Sequence, residues 1–254
     1  MFARRTLFAP LSVMLAFGLT TSARAQEIDN AARYRTCITL VDKEPGQAFS
    51  NAIRWRDLGG DEGADHCAAL ALIRLEQYGE GANRLEKLAT RSRRAPAFRA
   101  RILAQAGQAW LLAGDAKRAE AVATSALTLA PNDTEILIDR AEARAQLADY
   151  KGALTDLDVS LSGKPGNVDA LVFRATSKRF LGNFTGALAD IEAALAINTI
   201  HPDALLELGI LKRLAHDKPS ARVAWLKLLA VAPTSVAAET ARTNLEKMDV
   251  KPNP

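Results

Sequence analysis

The chain has 254 residues, 48% of them apolar and 24% charged, a balance that excludes a disordered tail or a bundle of membrane spans and allows a buried core. Aromatics are only 6%, and the weight of Ala, Leu, Arg and Glu favours helix over sheet. The formal charge of +4 rests largely on Arg4, Arg5 and Arg24, for residues 1–25 hold no acid. A chain starting at Gln26 is therefore nearly neutral and exerts no general pull on nucleic acid.

At the N-terminus, Arg4 and Arg5 precede an apolar run from Leu7 to Leu19, and Ala23-Arg24-Ala25 stands before Gln26. A basic start, a short apolar stretch and an A-x-A site compose a secretory signal peptide, predicted over 1–25 with cleavage after Ala25. The run falls short of the roughly 20 apolar residues that a membrane span needs. The expected location is the periplasm, and Thr6-Leu7-Phe8 after the arginine pair leaves the export route open between the general and twin-arginine pathways. No cysteine follows at a lipidation position, so a soluble mature protein is expected. In such a compartment Cys37 and Cys67, the only cysteines, are expected to pair. A rival reading makes Cys67, with adjacent His66, the thiol of a redox or hydrolytic enzyme, although successive helical residues do not face each other.

Further on, four segments superpose without gaps at a period of 34 residues: 100–133, 134–167, 168–201 and 202–235. Gly107, Ala141, Ala175 and Gly209 share one column, and Ala119, Ala153, Ala187 and Ala221 another. Ala123, Leu157, Ile191 and Trp225 form a third; Ala126, Ser160, Ala194 and Leu228 form a fourth. Pro131, Pro165 and Pro233 close three units, with Thr199 in the remaining one, and Gly114, Ala148 and Gly182 mark mid-unit turns. Each unit reads as two amphipathic helices, in the clearest copy about Ile136–Leu147 and Lys151–Ser160. Small residues at Ala141 and Ala153 let the pair approach closely, Tyr150 and Phe184 are expected to fill the gap near the turn, and the prolines end the second helices. Asn132 and Glu135 have the spacing of a capping box.

With Tyr150–Ala153, Leu161–Pro165, Gly182–Ala187 and Ala194–Ile197 as its best-matching stretches, the chain resembles the tetratricopeptide repeat (TPR) family. The resemblance implies an all-α, right-handed superhelical solenoid of helix-turn-helix units. It is strong over 100–235 and weaker over two upstream units, about 29–61 (Ala48, Ala52, Trp55) and 62–95 (Ala69, Tyr78, Gly81, Leu88), offset by an insertion from Arg94 to Arg99. The expected organisation is thus a signal peptide (1–25), degenerate units (26–95), four full units within 96–235, a capping helix from Val236 to Met248 and a tail to Pro254. Cys37 and Cys67 fall on neighbouring first helices, where a bridge would contribute about 3–4 kcal/mol. The paired cysteine with Cys67-Ala68-Ala69-Leu70-Ala71-Leu72 is also similar to exported alphaproteobacterial TPR proteins.

In that family the first helices line a concave groove that binds a peptide. Carried across, the groove positions are Gln105, Gln108, Glu135, Asp139, Glu142, Asp169, Phe173, Thr176, Asp203, Glu207 and Ile210. Six are acidic and none is basic, with Arg179 and Arg213 deeper along the same helices; the Lys/Asn carboxylate clamp of the chaperone-binding TPR proteins has no match. The expected partner is a protein or peptide segment, basic or amide-rich, with an apolar anchor near Phe173.

Little else carries chemistry. His66, His201 and His216 are dispersed, and Asp61, Glu62, Asp65 and His66 read as an acidic helix start. Gly59-Gly60 is followed by Asp61-Glu62, which would repel phosphate, and nucleophile motifs are absent. No cofactor, metal or catalytic residue is expected. Arg91, Arg93, Arg94, Arg99 and Arg101 read as a solvated helix end and loop, and otherwise as the membrane-surface patch of an envelope-assembly factor.

Overall fold

The computed structural model describes residues 20–249, and over these the chain is a single run of helices packed in consecutive antiparallel pairs, with no strand among the described residues. The first unit is α1 (Thr20–Lys43) and α2 (Pro45–Trp55), the second α3 (Asp61–Arg74) and α4 (Tyr78–Arg91). Then come α5 (Pro96–Leu112) with α6 (Ala116–Leu129), α7 (Thr134–Gln146) with α8 (Tyr150–Gly163), α9 (Val168–Phe180) with α10 (Phe184–Ile197), and α11 (Pro202–Leu214) with α12 (Lys218–Val231). The last helix is α13 (Val236–Asp249). Most of the predicted signal peptide (1–19) and residues 250–254 lie outside the described residues. The predicted cleavage point after Ala25 falls inside α1.

The 34-residue period is written into the caps. Asp115, Asp149, Asn183 and Asp217 each accept a hydrogen bond from the backbone N–H three residues on, starting α6, α8, α10 and α12. Asp133, Asn167 and His201 do the same for α7, α9 and α11. Each such bond satisfies one of the donors left open at a helix start, at about 1 kcal/mol apiece. Asp133 corrects the expected Asn132–Glu135 capping box: Pro131 and Asn132 form the turn, and the Asp133 carboxylate accepts from Glu135 N and Ile136 N. The helix accordingly starts two residues earlier than predicted. The residue before each second-helix cap lies in the left-handed region, at φ 75° for Gly114, 62° for Ala148, 80° for Gly182 and 61° for His216.

The small-residue columns are buried, with Ala141 and Ala153 sealed between α7 and α8. In the last unit a glycine compensates for a tryptophan. A Cβ on Gly209 would lie 2.5 Å from Trp225 Cδ1, so only glycine clears that ring. Trp225 is fully buried with Leu205 and Leu228, and α13 closes the cluster with Ala237, Ala241 and Leu245. Near the turns, Tyr150 stacks on Phe180 of the next unit at 4.4 Å between centroids. Phe184 stays half-exposed, which corrects its expected role as a gap filler: the position that Phe180 occupies against Tyr150 is Leu214 one unit on, which offers no ring to stack upon.

Polar columns are buried too. Arg140 grips Asp156 through two hydrogen bonds of 2.9 and 2.6 Å, and Arg144 adds a third at 2.8 Å. One unit later, Arg174 and Lys178 hold Asp190 at 2.9, 2.7 and 2.7 Å. Asp156 and Asp190 are both buried, so breaking either set by removing one partner would strand a charge. Such pairs are structural.

The N-terminal units are held differently. Glu44, Gln77 and Ala95 give no side-chain cap, although Pro45 and Pro96 start α2 and α5 with a favourable φ. Cys37 and Cys67 form a disulfide between α1 and α3, with Cα atoms 6.2 Å apart. It sits among Val41, Ala48, Ala52 and Ala68, and closes a separation of 30 residues.

Candidate functional site: the face of the first helices

First helices touch first helices along the stack: α1 on α3, α5 on α7, α7 on α9, α9 on α11 and α11 on α13. No second helix packs comparably on the next second helix among the described residues. Crowding on one side only is what curvature requires, so the first helices form the inner, concave face.

A row of polar contacts stitches this face from helix to helix. Tyr34 Oη of α1 lies 2.7 Å from His66 Nδ1 of α3, and His66 Nε2 lies 2.7 Å from Gln105 Oε1 of α5. Burial holds His66 below the usual histidine pKa, with the Gln105 hydrogen bond opposing it. Gln108 of α5 donates to both carboxylate oxygens of Asp139 on α7, each at 3.4 Å. Further along, Arg179 of α9 clasps Glu207 of α11 at 2.5 and 3.3 Å. Glu207 is buried and neutralised, which removes it from the free acids of the groove. Glu135 pairs with Lys164 at 2.8 Å, and His201 Nε2 lies 3.1 Å from Asp169.

Between α7 and α9 no polar bridge occurs among the described residues. This stretch presents Asp139 and Glu142 on one side, with Phe173 and Thr176 on the other. Burial, with Glu142, Glu135 and Asp133 nearby, pushes the Asp139 carboxyl up to about 7 against the pull of Gln108. Glu142 is likewise raised, chiefly by burial and also by the charge of Asp203. A carboxylate raised by desolvation and like charge is one that a cation would stabilise. Phe173 is half-buried and packs on the core of α7 to α11, and Ile210 is drawn similarly into the cluster around Trp225.

Sequence reasoning missed the N-terminal end of this face. There a cleft of about 560 Å³ is walled by Tyr34, Trp55, His66 and Phe98, with Arg94 and Glu62 at its mouth. Trp55 donates to Asn30 Oδ1 at 3.1 Å, and Gly60 and Gly63 lie close against its ring. The only available signal was Tyr34 and Phe98 on first helices and Trp55 at the end of α2, obscured by the kink at Arg56–Gly60, where Gly59 leaves the helix at φ 90°, and by the insertion that breaks the period.

Other candidates resolve plainly. Cys67 is buried and disulfide-bonded, so it offers no thiolate, and both nitrogens of His66 are engaged. Of the arginine run, Arg91 pairs with Asp65, Arg94 lies over the Phe98 ring and 3.9 Å from Glu62, and Arg99 Nε donates to Ala89 O. Arg93 and Arg101 make no ion pair among the described residues, and no described helix is long and apolar enough to cross a membrane. No group of three His, Cys, Asp or Glu side chains is gathered as metal ligands among the described residues.

No family model and no curated protein sequence matches the chain. Its fold does match solved structures. PilW, a type IV pilus biogenesis factor, aligns with a TM-score of 0.67 at 16% identity over 84% of this chain and 98% of its own. PilF of Pseudomonas aeruginosa gives 0.66 at 15% identity, over 87% and 99%. YrrB, described as a TPR protein with an unusual peptide-binding site, gives 0.57 at 20% identity, over 73% and 95%. At such identities the likeness defines the fold, and that fold is the tetratricopeptide repeat solenoid anticipated by the sequence columns.

Proposed function

We propose that the chain is an exported, non-catalytic scaffold that holds one partner segment against its concave face. The observation that carries this reading is the unbridged stretch between α7 and α9, where Asp139 and Glu142 lack a basic counterpart beside Phe173 and Thr176. Asp203 adds a third acid, and on the N-terminal side Gln105 and Gln108 keep the amide atoms not used in their contacts with His66 and Asp139. A basic or amide-rich segment with an apolar residue near Phe173 complements this surface: cations replace the mutual repulsion of the acids, and the anchor supplies buried area. The peptide-binding site named for YrrB supports the class of ligand. A disulfide between α1 and α3 suits an oxidising compartment, which supports the periplasm.

The test uses the chain from Gln26, crosslinked in its own envelope fraction beside the variant Asp139→Lys, Glu142→Lys, Asp203→Lys. Glu207 is left untouched, because a lysine there would face Arg179 in a buried site and unfold the array. A partner captured by the parent and lost from the variant is the expected result. The same partners from both would move binding off the groove, and capture by neither would remove the scaffold reading.

A further inference from the structure

At the other end of the same face the charge reverses. Arg213 occupies on α11 the register that Arg179 occupies on α9, yet its surroundings differ. Arg179 is neutralised by Glu207; one unit further on, the position of Glu207 is Ala241, so Arg213 meets no acid. The register of Arg213 itself recurs on α13 as Lys247. Two cations therefore project from successive first helices without a counter-ion.

They border a cavity of about 650 Å³, with Arg213, His216 and Lys218 on one side and Asn244, Lys247 and Met248 of α13 on the other. None of its four basic side chains has a hydrogen-bond or ion-pair partner among the described residues. Of the acids nearby, Asp217 caps α12 through Ser220 N, Asp249 pairs with Arg222, and Glu246 of α13 is not part of the lining. His216 also lines the cavity, exposed, in the left-handed turn position (φ 61°) that Ala148 and two glycines fill in the other units.

We propose that this cavity is a second binding site, for a carboxylate-bearing peptide segment. Guanidinium, ammonium and amide donors converge on one space, the pattern that recognises carboxylates. Leu214, partly exposed at the same rim, and Met248 add apolar contact, which favours a peptide over a small inorganic anion. The site stands on its own residues and does not rest on the acidic-groove reading. Where both hold, the ligand is charge-polarised, with its acidic part towards α13.

The probe is a fluorescein-labelled peptide of alternating Glu and Leu, followed by anisotropy on the chain from Gln26, with the Lys-Leu counterpart as control. Saturable binding of the acidic peptide is expected, weakened about tenfold or more by Arg213→Glu with Lys247→Glu. Lys117→Glu with Lys151→Glu, the same charge change on exposed residues elsewhere, should leave it within about twofold. Asp139→Lys with Glu142→Lys should also leave it intact, which separates this site from the groove. His216→Gly should raise the melting temperature while weakening the peptide; a histidine that served only the turn would give the first effect without the second. Absence of saturation, or an equal loss in the Lys117 and Lys151 control, overturns the proposal. So does uptake by phosphatidylserine vesicles through Arg213 and Lys247 with no peptide binding.

Discussion

Gly209→Ala is the sharpest check on how the last unit is assembled. An added Cβ would sit 2.5 Å from Trp225 Cδ1 and Cε2 and nearer still to Nε1, well inside van der Waals contact. The ring cannot step aside freely, because it is fully buried and its Nε1–H donates to Leu206 O at 3.1 Å. Overpacking of this kind costs about 1–3 kcal/mol, and losing the indole hydrogen bond about 1 kcal/mol more. Alanine's better helix propensity offsets about 1 kcal/mol. The net expectation is a destabilisation of about 2 kcal/mol, centred on the α11–α12–α13 cluster. In a Trp225→Leu background the sign should change, since Ala141 with Leu157 and Ala175 with Ile191 already combine alanine with an aliphatic residue in these columns. There the same substitution should be neutral or stabilising by up to about 1 kcal/mol. Urea titrations of the four proteins, followed by far-ultraviolet circular dichroism, give the coupling directly. Equal costs in both backgrounds would refute the reasoning.

Ser177 is fully buried and its hydroxyl finds no partner among the described residues; Ser177→Ala, which restores the alanine found at Ala143 one unit earlier, should stabilise by about 1 kcal/mol in thermal melts. Replacing Cys37 and Cys67 by serine should cost about 3 kcal/mol in the N-terminal units, with hydrogen exchange accelerated in α1 to α4 and little changed in α9 to α12. Asp139 is raised to about 7 in the folded chain from an ordinary value of 3.8, so the folded state holds its proton more tightly than the unfolded one. Stability should therefore rise as pH falls from about 7 towards 4 and decline as pH climbs through that window; Asp139→Asn should flatten the slope, and carboxyl chemical shifts of Asp139 report its midpoint. Glu207→Ala should destabilise by about 3–5 kcal/mol by stranding Arg179, measurable by urea unfolding.

The solenoid was legible because each unit solves the same packing problem with the same residues. Gly107, Ala141, Ala175 and Gly209 recur because close helix approach tolerates nothing larger, and such repetition is visible without coordinates. Charge pairing was not legible to the same depth. Arg140–Asp156 and Arg174–Asp190 repeat at equal separation within two units, yet only burial distinguishes them from solvated surface charges. Glu207 reads as a groove acid until Arg179, 28 residues earlier, is seen to close on it. The aromatic cleft around Trp55 and Phe98 escaped for another reason. Its units have lost the period, and proximity across a broken period has no signature in sequence.

Residues that obey the period and residues that break it therefore do different work. Gln105, Asp139, Phe173 and Glu207 fall in one column, and Gln108, Glu142, Thr176 and Ile210 in another. Neither column repeats one kind of side chain at its equivalent backbone sites along the face. Packing cannot require that variety, because the neighbouring helices at each site are built alike. Part of it is internal: Gln105 completes the contact with His66, and Glu207 that with Arg179. Beside these pairs stand Asp139, held only by the Gln108 amide, with Glu142, Phe173 and Thr176 in the middle of the face, and the cations Arg213 and Lys247 at its end. A surface that changes character from unit to unit suits a ligand whose own chemistry changes along its length. A globular partner gripped at one spot, or a uniform polyanion or polycation, would call for neither reversal. Under the two proposals made above, an extended segment read in register does, with its basic or amide-rich part first and its acidic part towards α13.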